Sequence, residues 1–245
     1  MPKGLRIYAI GDVHGRSDLL RMMDAAVLED LSGYPVRRAV CVYLGDLIDR
    51  GPDSRGVIEH LLAPPDDGLE RRVLRGNHED TALRALDDPD AFAKWQEWGG
   101  REAMHSYGID LRGLMGDHAG DAERTTWRAA LSPTHLGFLR GLETMLVVGD
   151  YCLVHAGIRP GVPLGEQDPQ DLLWIRDPFL SWQGDFGKVV VHGHTPVRDA
   201  ERHINRINVD TGAYLTGVLT AAVLEDGEVR FVTVSANHIG WQEIS

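Results

Sequence analysis

Residues 5–15 read LRIYAIGDVHG and residues 39–51 read AVCVYLGDLIDRG. In each, a run of aliphatic and β-branched residues with no charge inside its last four positions stops abruptly at Gly-Asp, the pattern of a strand covered on both faces. Between the two runs Leu19, Leu20, Met23, Ala26 and Val27 recur at helical spacing, which predicts a helix from about Ser17, as its N-cap, to Leu31. Strand, helix and strand in this order predict a sheet with parallel pairing and right-handed crossovers.

The same punctuation occurs three more times: RRVL before RGNHED, YCLV before HAG, and KVVV before HGHTP. Each polar cluster begins where its strand ends, and open α/β sheets place their ligand crevices outside those ends. Together the clusters supply Asp12, His14, Asp46, Asp49, Asn77, His78, His155, His192 and His194. One such cluster is an ordinary turn; five on one sheet edge describe one site. Asp12 and His14 are two apart in an extended segment, so they leave on one face and can grip one cation. His192 lies two before His194 on its strand, in position to share its face. The set mixes carboxylate, amide and imidazole donors without thiolate, which suits an open catalytic site for manganese, iron or zinc more than a structural zinc site.

From Glu79 to about Leu142 the pattern is helical and broken by Gly, Asp and Pro, a helical insertion between ligand-bearing loops. Trp95 and Trp98 are three apart on one predicted helical face there, with Gly99 or Gly100 as the stop. That face packs in the core or lines the substrate cleft. Ser132-Pro133 reads as N-cap and first helical residue. Strands follow near Met145 to Val148, Tyr151 to Val154, Lys188 to His192, Ile204 to Asp210, Leu215 to Leu224 and Val229 to Val234, with a hairpin turn at Asp226-Gly227. His60, His105, His118, His135, His203 and His238 fall outside the clusters and read as surface or packing residues.

The chain of 245 residues is 43% hydrophobic, enough for a substantial core, and its net charge of −12 argues against a nucleic-acid partner. Cys41 and Cys152 lie inside apolar runs and read as reduced core residues. With neither a secretory signal nor a membrane-spanning run, the expected compartment is the cytoplasm.

The motifs GDVHG, GDLIDRGPDS, RGNHED, HAG and HGHTP, in this order, resemble the calcineurin-like metallophosphoesterases and, within them, the phosphoprotein phosphatases of bacteria and lambda-like phages, which also follow GHTP with a strand and VDTGA. The resemblance covers residues 5 to 223. It implies a single α/β domain over residues 1–245, a two-sheet β-sandwich flanked by helices, holding two divalent metal ions, manganese first and iron or zinc as alternatives. By resemblance one metal is held by Asp12, His14 and Asp46, and the other by Asp46, Asn77, His155 and His194, with a bridging hydroxide as nucleophile. His78 resembles the general acid, Asp49 the carboxylate that orients it, and Arg50 and Arg176, the latter in LLWIRD, the guanidinium pair on the phosphoryl oxygens. The implied activity is hydrolysis of phosphomonoesters in a phosphorylated protein or peptide, on serine, threonine or tyrosine, or in a small phosphoester such as a nucleotide. Symmetrical diadenosine tetraphosphate hydrolases share the fold and are the main alternative, although they commonly lack the counterpart of Asp49. A catalytically dead scaffold is the remote one.

Overall fold

The computed structural model describes residues 1–65, 68–111, 119–236 and 238–243. Strand β1 (Leu5–Ile10), helix α1 (Ser17–Gly33), β2 (Arg38–Tyr43), α2 (Ser54–Leu62) and β3 (Leu69–Val73) come first, and both strand pairs are parallel. The sheet extends on its other side through antiparallel β9 (Val218–Glu225), β10 (Glu228–Ser235) and β11 (His238–Glu243), in the order β11-β10-β9-β1-β2-β3. A second sheet has the order β4-β5-β6-β8-β7, from Met145–Val148, Tyr151–Val154, Val189–His192, Arg206–Asn208 and Glu201–Arg202 respectively. Its β5, β6 and β8 run parallel between the antiparallel edge strands β4 and β7, whereas in the first sheet the parallel strands β1, β2 and β3 form one side and the antiparallel strands the other.

Period-two alternation explains the layers. Leu5, Ile7 and Ala9 of β1 face the second sheet and pack with Leu153, Val191 and Ile207, while Tyr8 and Ile10 face α1 and pack with Leu19, Leu20 and Met23. A third apolar cluster, with Cys152, Val154 and Phe179, covers the outer side of the second sheet beneath α8 (Pro169–Trp174). Two sheets flanked by helices result. Both cysteines are buried and free.

Between β3 and β4 the described residues form α3 (Asn77–Arg84), α4 (Pro89–Trp95), a π-helical turn (Gln96–Gly100), α5 (Arg101–Ser106), α6 (Ala119–Ala130) and α7 (Pro133–Arg140). Ser132 caps α7 through the His135 N–H at 3.1 Å, with Pro133 in the first turn. His118 and part of the expected insertion lie outside the described residues.

Several boundaries differ from the sequence reading. Ser17 begins α1 instead of capping it, because its hydroxyl is turned onto the Asp53 carboxylate at 2.5 Å. The strand expected from Ile204 is confined to Arg206–Asn208, because β6 and β8 pair only from Val190 with Arg206 to His192 with Asn208 and the chain then turns into the site. Leu215 lies in a short helix, α9 (Ala213–Thr216), closed by Gly217 at φ 72° before β9 begins. The edge strand β7 has only two residues, and β11 (HIGWQE) lacks the apolar alternation that marks a strand.

Candidate metal and phosphoryl site

Six non-glycine residues among those described have positive φ, and five of them are His14, Asp46, Asp49, Arg50 and His194. The sixth, Asp226, belongs to the hairpin turn. Backbone in this region is costly for residues with a side chain and persists where the surroundings enforce it. Here each position adjoins a glycine or another residue in the same motif, and Gly76, Gly45 and Gly51 allow backbone approaches that a Cβ would block. These glycines let the loops after β1, β2 and β3 converge, and Gly193, where a Cβ would come within 2.1 Å of Asp12 Oδ1, lets the loop after β6 join them.

Asp46 sits at the centre. Its Oδ2 lies 3.5 Å from His14 Nε2 and 3.9 Å from His78 Nε2, while its Oδ1 lies 3.4 Å from His155 Nε2. One carboxylate thus addresses two sets of imidazoles. Among the described residues two groups have donor atoms all within 4.8 Å of one another: His14, Asp46 and His78, and Asp46, His155 and His194. Asn77 joins the second, its Oδ1 2.9 Å from both His155 Nε2 and His194 Nδ1. Asp12 stands outside both groups, with its two oxygens each accepting the His194 backbone N–H at 3.2 Å.

The rings are oriented by backbone. His14 donates Nδ1–H to Ile48 O at 2.9 Å and His155 donates Nδ1–H to Leu44 O at 3.0 Å, so the Nε2 atoms present lone pairs inward. Burial pushes His14, His155 and His194 down, the last to about 3, leaving neutral imidazoles at pH 7. Burial, then the charges of Asp210 and Asp46, raise Asp12; burial raises Asp210 to about 6, with Asp46 adding to it against the Gly212 N–H. Asp46 is held low because the surrounding imidazoles outweigh its own burial. Three buried acids beside neutral rings, and His194 Nε2 with no partner, form a site short of positive charge. Divalent cations fit that donor set.

His78 donates Nδ1–H to Asp49 Oδ2 at 2.7 Å, and the same oxygen accepts the Trp95 indole N–H at 2.8 Å. All three side chains are buried. Burial would lower His78, but the Asp46 charge and the Asp49 bond outweigh it and raise its pKa; burial raises Asp49 against the pull of His78 and Trp95. Arg50 donates Nη1–H to His14 Nε2 at 3.2 Å, and its guanidinium lies 4.8 Å from the centre of the Tyr214 ring. Arg176 is exposed, yet its charge reaches His194 and Asp210.

Other expectations change. His192 does not share the direction of His194: β6 ends at His192, and the positive φ of His194 breaks the two-residue alternation. The His192 ring packs edge-on to Phe179, 4.9 Å between centres, in the third core cluster. Trp95 and Trp98 also part company, because the π-helical turn and Gly99, at φ 106°, rotate one from the other. Trp95 is buried, whereas Trp98 is 36% exposed and packs on Trp174, which in turn lies 6.1 Å from His194. Sequence reasoning missed Glu79, Asp210 and the Trp95 bond to Asp49. The VDTGA stretch contained Asp210, but nothing local marks the other two contacts.

Residues 5–233 match the calcineurin-like phosphoesterase family, and the chain belongs to it. It is a hydrolase of that metal-dependent class. Among similar proteins, the serine/threonine-protein phosphatase 2 of Escherichia coli is 35% identical over 223 residues, covering 87% of this chain and 90% of its own. An asymmetrical bis(5'-nucleosyl)-tetraphosphatase PrpE of Anoxybacillus flavithermus is 26% identical over 232 residues, covering 86% and 87%. The crystal structure of a putative diadenosine tetraphosphatase superposes with a TM-score of 0.65 at 20% identity, covering 95% of both chains, a likeness of fold.

Proposed function

We propose that the protein is a phosphomonoesterase that acts on phosphoserine and phosphothreonine in peptides and proteins, with phosphotyrosine as a further substrate. The observation that carries this reading is the buried pair of His78 and Asp49 at 2.7 Å, with the His78 pKa raised. A serine alkoxide departs badly unless a proton reaches it, so an imidazole whose protonated form is favoured by Asp46 and Asp49 suits an alkyl monoester. A nucleotide leaving from a dinucleoside tetraphosphate is a weak base and needs that proton less. The 35% identity to the E. coli phosphatase supports the same choice.

In this reading Asp12, His14 and Asp46 hold one divalent cation, and Asp46, Asn77, His155 and His194 hold the other. Manganese is the first choice of metal, with iron or zinc as alternatives. Bound there, the two cations supply Lewis acidity to the phosphoryl group and to the attacking water. Asp46 directs one oxygen to each set of ligands. Asp49 fixes the His78 ring and its protonated state, and His78 donates Nε2–H to the departing oxygen. Arg50 and Arg176 take the non-bridging oxygens, and Trp98 stands at the cleft beside Trp174. We read residues 1–245 as one domain, and a reducing cytoplasm fits its two free buried cysteines.

The similarity to PrpE favours a second reading, hydrolysis of dinucleoside tetraphosphates. Turnover of a phosphoserine peptide, p-nitrophenyl phosphate and diadenosine tetraphosphate by the manganese-loaded protein separates the two. The phosphatase reading expects the peptide to exceed the dinucleotide in kcat/KM, and His78→Asn to cost roughly 10²–10⁴-fold on the peptide but much less on p-nitrophenyl phosphate. Asp49→Asn copies that bias more mildly. Dominant turnover of the dinucleotide overturns the substrate class, and equal losses on the two monoesters remove His78 from the acid role.

A further inference from the structure

The loop after β2 turns three consecutive backbone N–H groups, those of Asp46, Leu47 and Ile48, toward one point. Such a concavity binds an anion. It is filled by the Glu79 carboxylate, which is fully buried on the first turn of α3. Glu79 Oε2 accepts from Asp46 N at 3.0 Å and Gly76 N at 2.8 Å, and Oε1 accepts from Leu47 N at 2.8 Å and Ile48 N at 3.2 Å. Two N–H donors converge on each oxygen, a pattern that uses both carboxylate oxygens as acceptors. Burial, then the Asp46 charge, push the Glu79 pKa up to about 7, against the pull of the Gly76 and Leu47 N–H groups.

The bond to Gly76 N alone would be ordinary local capping, a glutamate in the first turn accepting from the N-cap N–H, with no return bond because Gly76 has no side chain. The other three reach across 31 to 33 residues to a different loop. In return the His78 N–H donates to Asp46 Oδ1 at 3.1 Å, so α3 grips both the backbone and the side chain of Asp46. Asp46 itself sits at φ 48° and is packed so closely that a Cβ on Gly76 would come within 2.1 Å of its Oδ1.

We infer that Glu79 is a positioning residue for Asp46: by filling the backbone nest of residues 46–48 it holds the one carboxylate whose oxygens face both groups of imidazoles. The inference rests on the reading of Asp46 as the shared metal ligand. A preset Asp46 makes the site ready for cations before they arrive, and without Glu79 the loop has to be organised by the metal itself.

Glu79→Gln separates this role from helix capping, since glutamine serves a capping box but offers one acceptor oxygen and sets an NH2 against the nest. Titration of the metal-stripped protein with manganese, followed by calorimetry, reads the effect. The expected result is a 10–100-fold loss of manganese affinity, the range typical of partners that orient metal ligands, in a protein that retains its native circular dichroism. Affinity within twofold of wild type overturns the inference. Should the variant not fold, amide hydrogen exchange in the metal-stripped wild type decides. Protection of the Asp46, Leu47, Ile48 and Gly76 amides without metal supports the nest, and free exchange of those amides until metal is added overturns it. A wild type that takes up no manganese would instead remove the metal reading beneath the inference.

Discussion

Trp95 and Trp127 are stacked neighbours, 4.7 Å between ring centres, and both are fully buried in the helical layer. They differ in one respect. The Trp95 N–H donates to Asp49 Oδ2 at 2.8 Å, whereas the Trp127 N–H has no partner. Replacing either by Phe removes three heavy atoms from the core, a loss of about 2 kcal/mol at ~0.8 kcal/mol for each methylene-sized group. Trp127→Phe also removes an unsatisfied buried donor, a relief of about 1 kcal/mol or more, so its net cost is about 1 kcal/mol or less. Trp95→Phe loses a hydrogen bond to a buried carboxylate, a further cost of about 1.5–3 kcal/mol, for a total of about 4 kcal/mol. Urea unfolding of the metal-stripped proteins measures both, and the Trp95 variant should be the less stable by about 3 kcal/mol on the same estimates. Equal destabilisation, within about 1 kcal/mol, would refute the idea that Trp95 anchors Asp49 and leave it as packing alone.

Asp46→Asn should keep the fold, lose bound metal by elemental analysis and abolish turnover; two retained metals with near-normal activity would contradict the shared-ligand reading. Trp98→Ala should shift the ranking of phosphopeptides that differ in the residues flanking the phosphoserine, since Trp98 is partly exposed on Trp174 near His194. A lower melting temperature with an unchanged ranking would make it a packing residue. Gly99→Ala places a Cβ 2.6 Å from Arg50 N at a φ of 106°, so it should displace Arg50 and reduce turnover of peptide and p-nitrophenyl phosphate alike. Unaltered kinetics on both would separate Arg50 from the phosphoryl group.

Local pattern made much of this protein legible. The β-branched runs before GDVHG, GDLIDRG and HAG end where strands end, because buried parallel strands need apolar residues on both faces and loops need glycine and polar groups. The helices between Asn77 and Arg140, the Ser132 cap and the Asp226-Gly227 turn follow from equally short-range rules. So did the family, since five motifs carry it together. What local pattern could not supply is the direction of each group. Period-two alternation put His192 with His194, but the left-handed backbone at His194 parts them, and helical spacing put Trp98 with Trp95 until a π-helical turn intervened. His155 meets Asn77 across 78 residues and the His194 N–H meets Asp12 across 182. In the sequence Glu79 merely marks the start of the helical insertion, and only the approach of the loop at residues 46–48 brings it three backbone donors from outside its own helix. Residue type and spacing act over a few positions of the chain, so the sequence alone determined which donors exist and which strand ends carry them. Their distances, protonation and partners depend on how two sheets pack and which loops that packing buries together, and those were decided by the tertiary structure.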